Sequence, residues 1–255
     1  MKFYRFVAEN KVSYGVAERN KITELSGDLF SQYTLTDKTH KPDEVRFLSP
    51  CDPGKIVAVG LNYRSHAHEL GMKLPDEPLL FLKPSTSVVG PEEDIRYPPM
   101  SQRVDYEAEL AVVIGKKTKN INEGDAEDYV LGYTCINDVT ARDLQKKDGQ
   151  FTRSKSFDTF APIGPCIETE LDPDRVKVES YLNGKLRQSG NTRDLVFPVA
   201  RLVSFISRIM TLLPGDIIAT GTPFGVGPMA VGDMIEVVVE GVGRLKNRVV
   251  AASIS

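Results

Sequence analysis

Cysteine is scarce in this chain: Cys51, Cys135 and Cys166 are the only three among 255 residues, and no two of them form a CxxC pair. An odd number at such spacing argues against a disulfide framework and predicts small buried thiols in a reduced, cytoplasmic protein. An excess of positive charge is also missing. With 32 Lys and Arg against 35 Asp and Glu the formal net charge is −3, which leaves no basic footprint for nucleic acid. No stretch approaches the roughly 20 apolar residues of a membrane span. The opening Met1-Lys2-Phe3-Tyr4-Arg5-Phe6 lacks the apolar run and cleavage site of a leader. Neither a nucleic-acid nor a membrane partner is therefore expected. Histidine is limited to His40, His66 and His68, so few residues are available for imidazole chemistry. Repeats and low-complexity segments are absent as well.

What is present is an ordinary globular composition, 41% hydrophobic and 26% charged, in a chain long enough for a sizeable core. The most informative stretch is Val104-Asp105-Tyr106-Glu107-Ala108-Glu109-Leu110-Ala111-Val112-Val113-Ile114-Gly115. Its alternation and β-branched content predict a strand, in which side chains two apart share a face. Glu107 and Glu109 then emerge side by side, while Ala108, Leu110, Val112 and Ile114 face a core. Two like charges on a half-buried surface repel and lose hydration, a cost of several kcal/mol per unpaired ion unless a cation lies between them. A divalent metal is one such cation. Two solvated carboxylates on an exposed strand face are the other reading of the strand taken alone.

In chain order, residues 2–8, 11–17 and 20–25 read as short strands separated by Glu9-Asn10, Glu18-Arg19 and Gly27-Asp28, a small meander. Polar and Pro punctuation then suits a connector, which places a boundary near Cys51 between an N-terminal unit (1–50) and a main domain (51–255). Lys55 to Gly60 is a buried strand, and Asn62 can cap a short helix that stops at Gly71. On that helix His66 and Glu69, three apart, share a face. A histidine steered by a carboxylate is the usual form of a general base, and a solvated His/Glu pair is the plain alternative. His68 points to the other side, as a surface residue, and His40 in the connector has no expected role.

Leu79 to Pro84 reads as an apolar strand, Asp125 to Tyr129 as a short helix, and Tyr133 to Asn137 as a strand that delivers Asp138. The following segment turns helical, with Asp138, Arg142 and Gln145 at i, i+4 and i+7 on one stripe. It offers a third carboxylate, a fork of donors and an amide, unless Asp138 is a helix cap paired to Arg142. Residues 148–160 form a polar loop with Arg153 and Lys155 amid aromatics, the kind of segment that carries function on a rigid scaffold. Asn183-Gly184 marks a hairpin after strand 175–182. Residues 199–210 have the apolar spacing of a core helix. The stretch 213–227 is a strand running into a Gly-rich turn with Thr222 as a nearby hydroxyl, and it is neither a Walker loop nor a dinucleotide fingerprint. Residues 235–240 and 245–251 close the chain as a hairpin.

Taken together, Asn62-Tyr63-x-x-His66-x-x-Glu69, Tyr106-Glu107-x-Glu109-Leu110-Ala111-Val112-Val113-Ile114-Gly115, Asn137-Asp138-x-x-x-Arg142-x-x-Gln145, Lys155-x-Phe157-Asp158-Thr159 and Gly221-Thr222-Pro223-x-Gly225-Val226-Gly227 strongly resemble the fumarylacetoacetate hydrolase family. The match is to its shorter bacterial-type members, which include acylpyruvate hydrolases, oxaloacetate decarboxylases and 2-hydroxyhepta-2,4-diene-1,7-dioate isomerases, and it spans about residues 51–250. The resemblance implies a β-rich α+β fold, a mixed β-roll of packed sheets, with residues 1–50 as a small N-terminal β-meander, usually in a homodimer. It implies one divalent ion on Glu107, Glu109 and Asp138. It also makes His66 and Glu69 a catalytic dyad on a mobile lid, Lys155 a further catalytic residue, and Arg142, Gln145 and Thr222 substrate contacts.

An all-oxygen carboxylate site favours Mg²⁺ or Mn²⁺, and such ions keep open positions that a small anionic 2-oxo acid can fill. The expected activity is carbon–carbon hydrolysis of an acylpyruvate-type 2,4-dioxo acid through a metal-bound enolate. Isomerisation of a hydroxymuconate-like diacid and decarboxylation of oxaloacetate need the same ligands and stay open. A sheet protein that binds a dicarboxylate without turnover would leave the His66–Glu69 pair without a role.

Overall fold

The alternating segments pair into three sheets in a computed structural model that describes residues 1–18, 20–69 and 71–252. Arg19, expected at a strand break, and Leu70, expected in the His66 helix, lie outside the described residues. From edge to edge, the main sheet runs Tyr33–His40, Lys21–Gly27, Lys11–Glu18, Lys2–Ala8, Ala161–Glu168, Val130–Asn137, Ala108–Ile114, Ile217–Ala219, Lys55–Gly60 and Leu79–Pro84. Along this path the pairing is antiparallel except where Ile217–Ala219 lies parallel to Lys55–Gly60, so the sheet is mixed. A second sheet joins Lys185–Asn191, Lys177–Leu182, Met234–Val239, Gly243–Ala251 and Ile95–Tyr97, and a third joins Thr140–Ala141, Val104–Tyr106 and Gly227–Met229. The β-rich packed-sheet architecture is the expected one. Asn183 and Gly184 turn the first hairpin of the second sheet with φ of 52° and 76°, the left-handed pair that a two-residue hairpin turn requires.

The Ala108–Ile114 strand is buried on both faces. Ala108, Leu110, Val112 and Ile114 pack into a core with Val178, Val237 and Val239 of the second sheet and with Leu202, Val203 and Ile206 of the Val199–Ile209 helix. On the opposite face Ala111 and Val113 join Ile56, Ala58, Ile136 and Ile163, and Phe3, Val16 and Leu25 of the N-terminal strands share that core. Each buried Val, Leu or Ile contributes roughly 1.5–3 kcal/mol. A carboxylate on such a strand therefore has no solvated side to turn to. Glu109 sits in a strand whose seven residues are all buried, and the half-buried face expected for it is not there.

Four local expectations are corrected. The connector contains a fourth strand, Tyr33–His40, paired with Lys21–Gly27; it is an exposed, polar edge strand, and its composition disguises it. His40 has a structural role there: it is buried, and its Nε2 lies 3.0 Å from Glu24 Oε2. Asn62 caps nothing, because its side chain binds Phe197 N–H, Phe197 O and Thr220 O, and the described helix is Arg64–Glu69. Finally, the expected stripe through Asp138 does not form. Thr140–Ala141 pairs with Val104–Asp105, and the helix starts only at Arg142, because Asp138 belongs to the strand exit. His68 is exposed, and all three thiols are free and buried, as expected. Among the described residues no helix is long and apolar enough to cross a membrane.

Candidate active site

The strand that carries the two glutamates breaks at Glu107. Val104–Tyr106 belongs to the third sheet and Ala108–Ile114 to the main one, so the chain changes sheets at this residue. Side chains satisfy the backbone at the crossing, as buried amides demand. Glu107 N–H donates to Asn137 Oδ1 at 2.9 Å, Ala108 N–H to Gln188 Oε1 at 3.0 Å, and Asp138 N–H to Glu107 O at 2.9 Å. Gln188 in turn donates to Thr222 Oγ1 at 2.8 Å, and Thr222 donates to Ala108 O at 2.9 Å. This lattice brings Glu107, Glu109 and Asp138 together, all buried, with one oxygen of each within 4.8 Å of the others.

Cations from distant segments flank two of the three. Lys155 Nζ reaches Glu107 Oε2 at 2.8 Å and Asp138 Oδ2 at 2.6 Å, and Lys83 Nζ reaches Asp138 Oδ1 at 2.6 Å. Arg142 pairs with Glu107 Oε1, with Asp105 Oδ2 at 2.9 Å and with Gln145 Oε1 at 2.7 Å. Glu109, 2% exposed, has no ion-pair partner within 4 Å among the described residues, and its Oε2 only accepts Gly221 N–H at 2.7 Å. The consequences follow from charge. Burial raises the Glu107 carboxyl, but Lys155 and Arg142 outweigh it and hold the group low. Burial, then repulsion from Asp138 and Glu107, pushes Glu109 well above the ordinary carboxylate range. Burial, reinforced by Lys155, lowers Lys83 against the pull of Asp138. For Lys155 the carboxylates Asp138 and Glu107 overcome burial and raise it. A buried triad of oxygen donors with one uncompensated member has the chemistry to hold a hard divalent cation.

His66 Nδ1 lies 2.8 Å from Glu69 Oε2, and Glu69 Oε1 accepts Gly225 N–H at 3.2 Å. The Gly-rich turn therefore steadies the dyad's carboxylate, and Gly221 and Gly225, both at φ 101°, have the left-handed backbone that lets it do so. His66, the three carboxylates, Arg142, Gln145, Lys155 and Thr222 all line a single cavity of about 350 Å³. Two further contributors went unforeseen. Lys83 stands alone in an apolar strand, which is the signal that could have exposed it, since a lysine there must find a buried anion. Asp105, fully buried between Arg103 and Arg142, continues the alternation of Glu107 and Glu109 by one step.

Residues 55–250 match the family described as Fumarylacetoacetate (FAA) hydrolase C-terminal, and residues 1–50 match the one described as Rv2993c-like, N-terminal. Human mitochondrial oxaloacetate tautomerase FAHD2A is 44% identical over 220 residues, covering 81% of this chain and 70% of that protein. The crystal structure of 2-hydroxyhepta-2,4-diene-1,7-dioate isomerase from Mycobacterium marinum is 39% identical, with a TM-score of 0.93 and coverage of 99% of both chains. Maleylpyruvate hydrolase from Sphingobium sp. SYK-6, solved with manganese (II) and pyruvate, is 31% identical with a TM-score of 0.83, covering 99% of this chain and 100% of that one. The chain belongs to the fumarylacetoacetate hydrolase family.

Proposed function

We propose that the protein is a divalent-metal-dependent enzyme acting on small anionic 2-oxo acids, most directly by hydrolysing a carbon–carbon bond of an acylpyruvate-type 2,4-dioxo acid. The observation that carries the reading is Glu109, a buried carboxylate without a cation, set beside two others in a cavity lined by His66, whose Nδ1 meets Glu69. Glu107, Glu109 and Asp138 would hold Mg²⁺ or Mn²⁺, which when bound supplies Lewis-acid stabilisation of negative charge on the 2-oxo acid. The manganese and pyruvate in the maleylpyruvate hydrolase structure support this assignment.

Glu69 occupies Nδ1 of His66, which fixes the tautomer and leaves Nε2 to take a proton from water. The hydroxide adds to the 4-carbonyl, the bond between carbons 3 and 4 breaks, and the electron pair remains on carbon 3. His66 returns its proton to that carbon, giving pyruvate and a carboxylic acid. Lys155 has three N–H donors, two of them directed at Glu107 and Asp138, and the third stabilises the oxyanion at carbon 4. Gln145 gives its carbonyl to Arg142, so its amide N–H groups serve the substrate. Thr222 holds Ala108 between the two glutamates. A homodimer is the assembly we propose.

A second reading, proton transfer without water, is supported by the tautomerase at 44% and the isomerase at 39% identity. It uses the same base on carbon 3 and omits the attack on carbon 4. Assaying acylpyruvates, oxaloacetate and 2-oxohept-3-ene-1,7-dioate with Mg²⁺, Mn²⁺ and a chelator separates hydrolysis, tautomerisation and decarboxylation by product. No turnover of any of them would overturn the enzyme class.

A further inference from the structure

The strand Lys185–Asn191 of the second sheet faces solvent along most of its length, and Gln188, 0% exposed, is its one buried residue. Burying an amide costs free energy unless its polar atoms are bonded. At Gln188 they all are. Oε1 accepts Ala108 N–H at 3.0 Å, and Nε2 donates to Thr222 Oγ1 at 2.8 Å and to Pro223 O at 2.9 Å. Thr222 closes the ring by donating to Ala108 O at 2.9 Å. The residue between Glu107 and Glu109 is thereby held at both its N–H and its carbonyl.

The turn at residues 221–225 that Gln188 grips reaches two parts of the site. At one end Gly221 N–H donates to Glu109 Oε2 at 2.7 Å. At the other, Phe224 N–H donates to Ser65 Oγ at 3.4 Å and Gly225 N–H to Glu69 Oε1 at 3.2 Å, both on the Arg64–Glu69 helix. Packing reinforces the hydrogen bonds. A Cβ added to Gly190 would lie 2.5 Å from Pro223 Cβ, so strand and turn meet almost at backbone distance. The φ of Gly190 lies outside the left-handed region, and closeness is what demands glycine there.

We propose that Gln188 is a positioning residue which, through the 221–225 turn, sets the metal-holding carboxylates in register with the His66–Glu69 base. This rests on the metal-dependent reading above. Gln188 does not line the cavity; it acts through Ala108, Thr222 and the turn. A glutamine that served packing alone would affect stability and nothing else.

The test uses the full chain and two variants. Gln188→Met keeps the length of the side chain and removes its three hydrogen bonds. Gly190→Ala removes none and presses on Pro223 instead. Titration calorimetry with Mn²⁺ alone should show binding weakened by about 10–100-fold in Gln188→Met, with a loss in the same direction in Gly190→Ala. At saturating Mn²⁺, kcat on the acid of the panel above that the unaltered chain turns over fastest should fall by about 10²-fold in Gln188→Met. KM should stay within about twofold, because the turn aligns bound groups and adds no binding of its own. If Gln188→Met does not fold, Gly190→Ala decides by the same two measurements. An unchanged Kd for Mn²⁺, or an unchanged kcat at saturating Mn²⁺, beside a lowered Tm overturns the proposal and leaves the enzyme reading standing. An unaltered chain that neither binds Mn²⁺ nor turns over any acid of the panel overturns both.

Discussion

Replacing Glu109 with Gln tests the metal centre most directly. With a chelator present the change removes no ion pair, and the new amide oxygen can still accept Gly221 N–H, now 2.7 Å from Glu109 Oε2. Burial and the neighbouring Asp138 and Glu107 already hold this carboxyl above its ordinary value, so the substitution should leave the chelated protein as stable as the original or more stable. The loaded protein behaves differently. An ion that binds only the folded state adds about 2.7 kcal/mol at a hundredfold excess over its Kd, and at about 2–4 °C per kcal/mol that raises Tm by about 5–10 °C in a chain of this size. Glu109→Gln should abolish most of the rise. The sign with pH is also set. A carboxyl raised in the folded state retains a proton that the unfolded chain has lost, so its contribution in chelator falls as pH rises through the folded value, while the ion gains a deprotonated ligand and its stabilisation grows. Calorimetric melts in chelator, Mg²⁺ and Mn²⁺ at several pH values read all of this. A full metal-induced rise in Glu109→Gln, or none in the unaltered chain with either ion, would refute the reasoning.

Removing the base, His66→Ala, should lower acylpyruvate turnover by about 10²–10⁴-fold while the metal-induced rise in Tm persists; undiminished turnover would remove His66 from the mechanism. Lys83→Met strips Asp138 of one of its two buried cations and leaves Lys155 in place, so it should destabilise the chelated protein by about 1–3 kcal/mol, and a melt that matches the original would show the pair to be dispensable. Far from the cavity, His40, with Ser13 and Lys38 assisting against burial, holds Glu24 below its ordinary value of 4.5. Because that value is depressed in the folded state, its stabilisation is complete above about pH 4.5 and is lost as pH falls. Glu24→Gln should therefore flatten the acid limb of the urea midpoint, and parallel limbs in the two proteins would dismiss the contact.

Much of this site can be read without coordinates, and the reason is local geometry. Glu107 and Glu109 lie two apart on an extended chain, and His66 and Glu69 lie three apart on a helical turn, so backbone periodicity alone brings each pair together. The Asn183-Gly184 hairpin and the Val199–Ile209 core helix follow from the same short-range rules. The residues that escape notice do so because their composition misleads. Tyr33–His40 is polar because it is an exposed edge strand, and Lys83 is hidden in an apolar run because its partner is another element's carboxylate.

Tertiary structure settles which charge meets which. Lys83 and Asp138 are 55 residues apart, Glu107 and Lys155 48, and Glu107 and Arg142 35; no periodicity links such positions. The alternative pairing that helical spacing allows, Asp138 with Arg142, is not made: Thr140–Ala141 pairs with Val104–Asp105, Asp138 meets Lys83 and Lys155, and Arg142 meets Asp105 and Glu107. Spacing along one element identifies the two glutamates; the packing of the Leu79–Pro84 strand and of the Arg142–Asp148 and Thr152–Lys155 helices around the site supplies cations to Glu107 and Asp138 and leaves Glu109 without one.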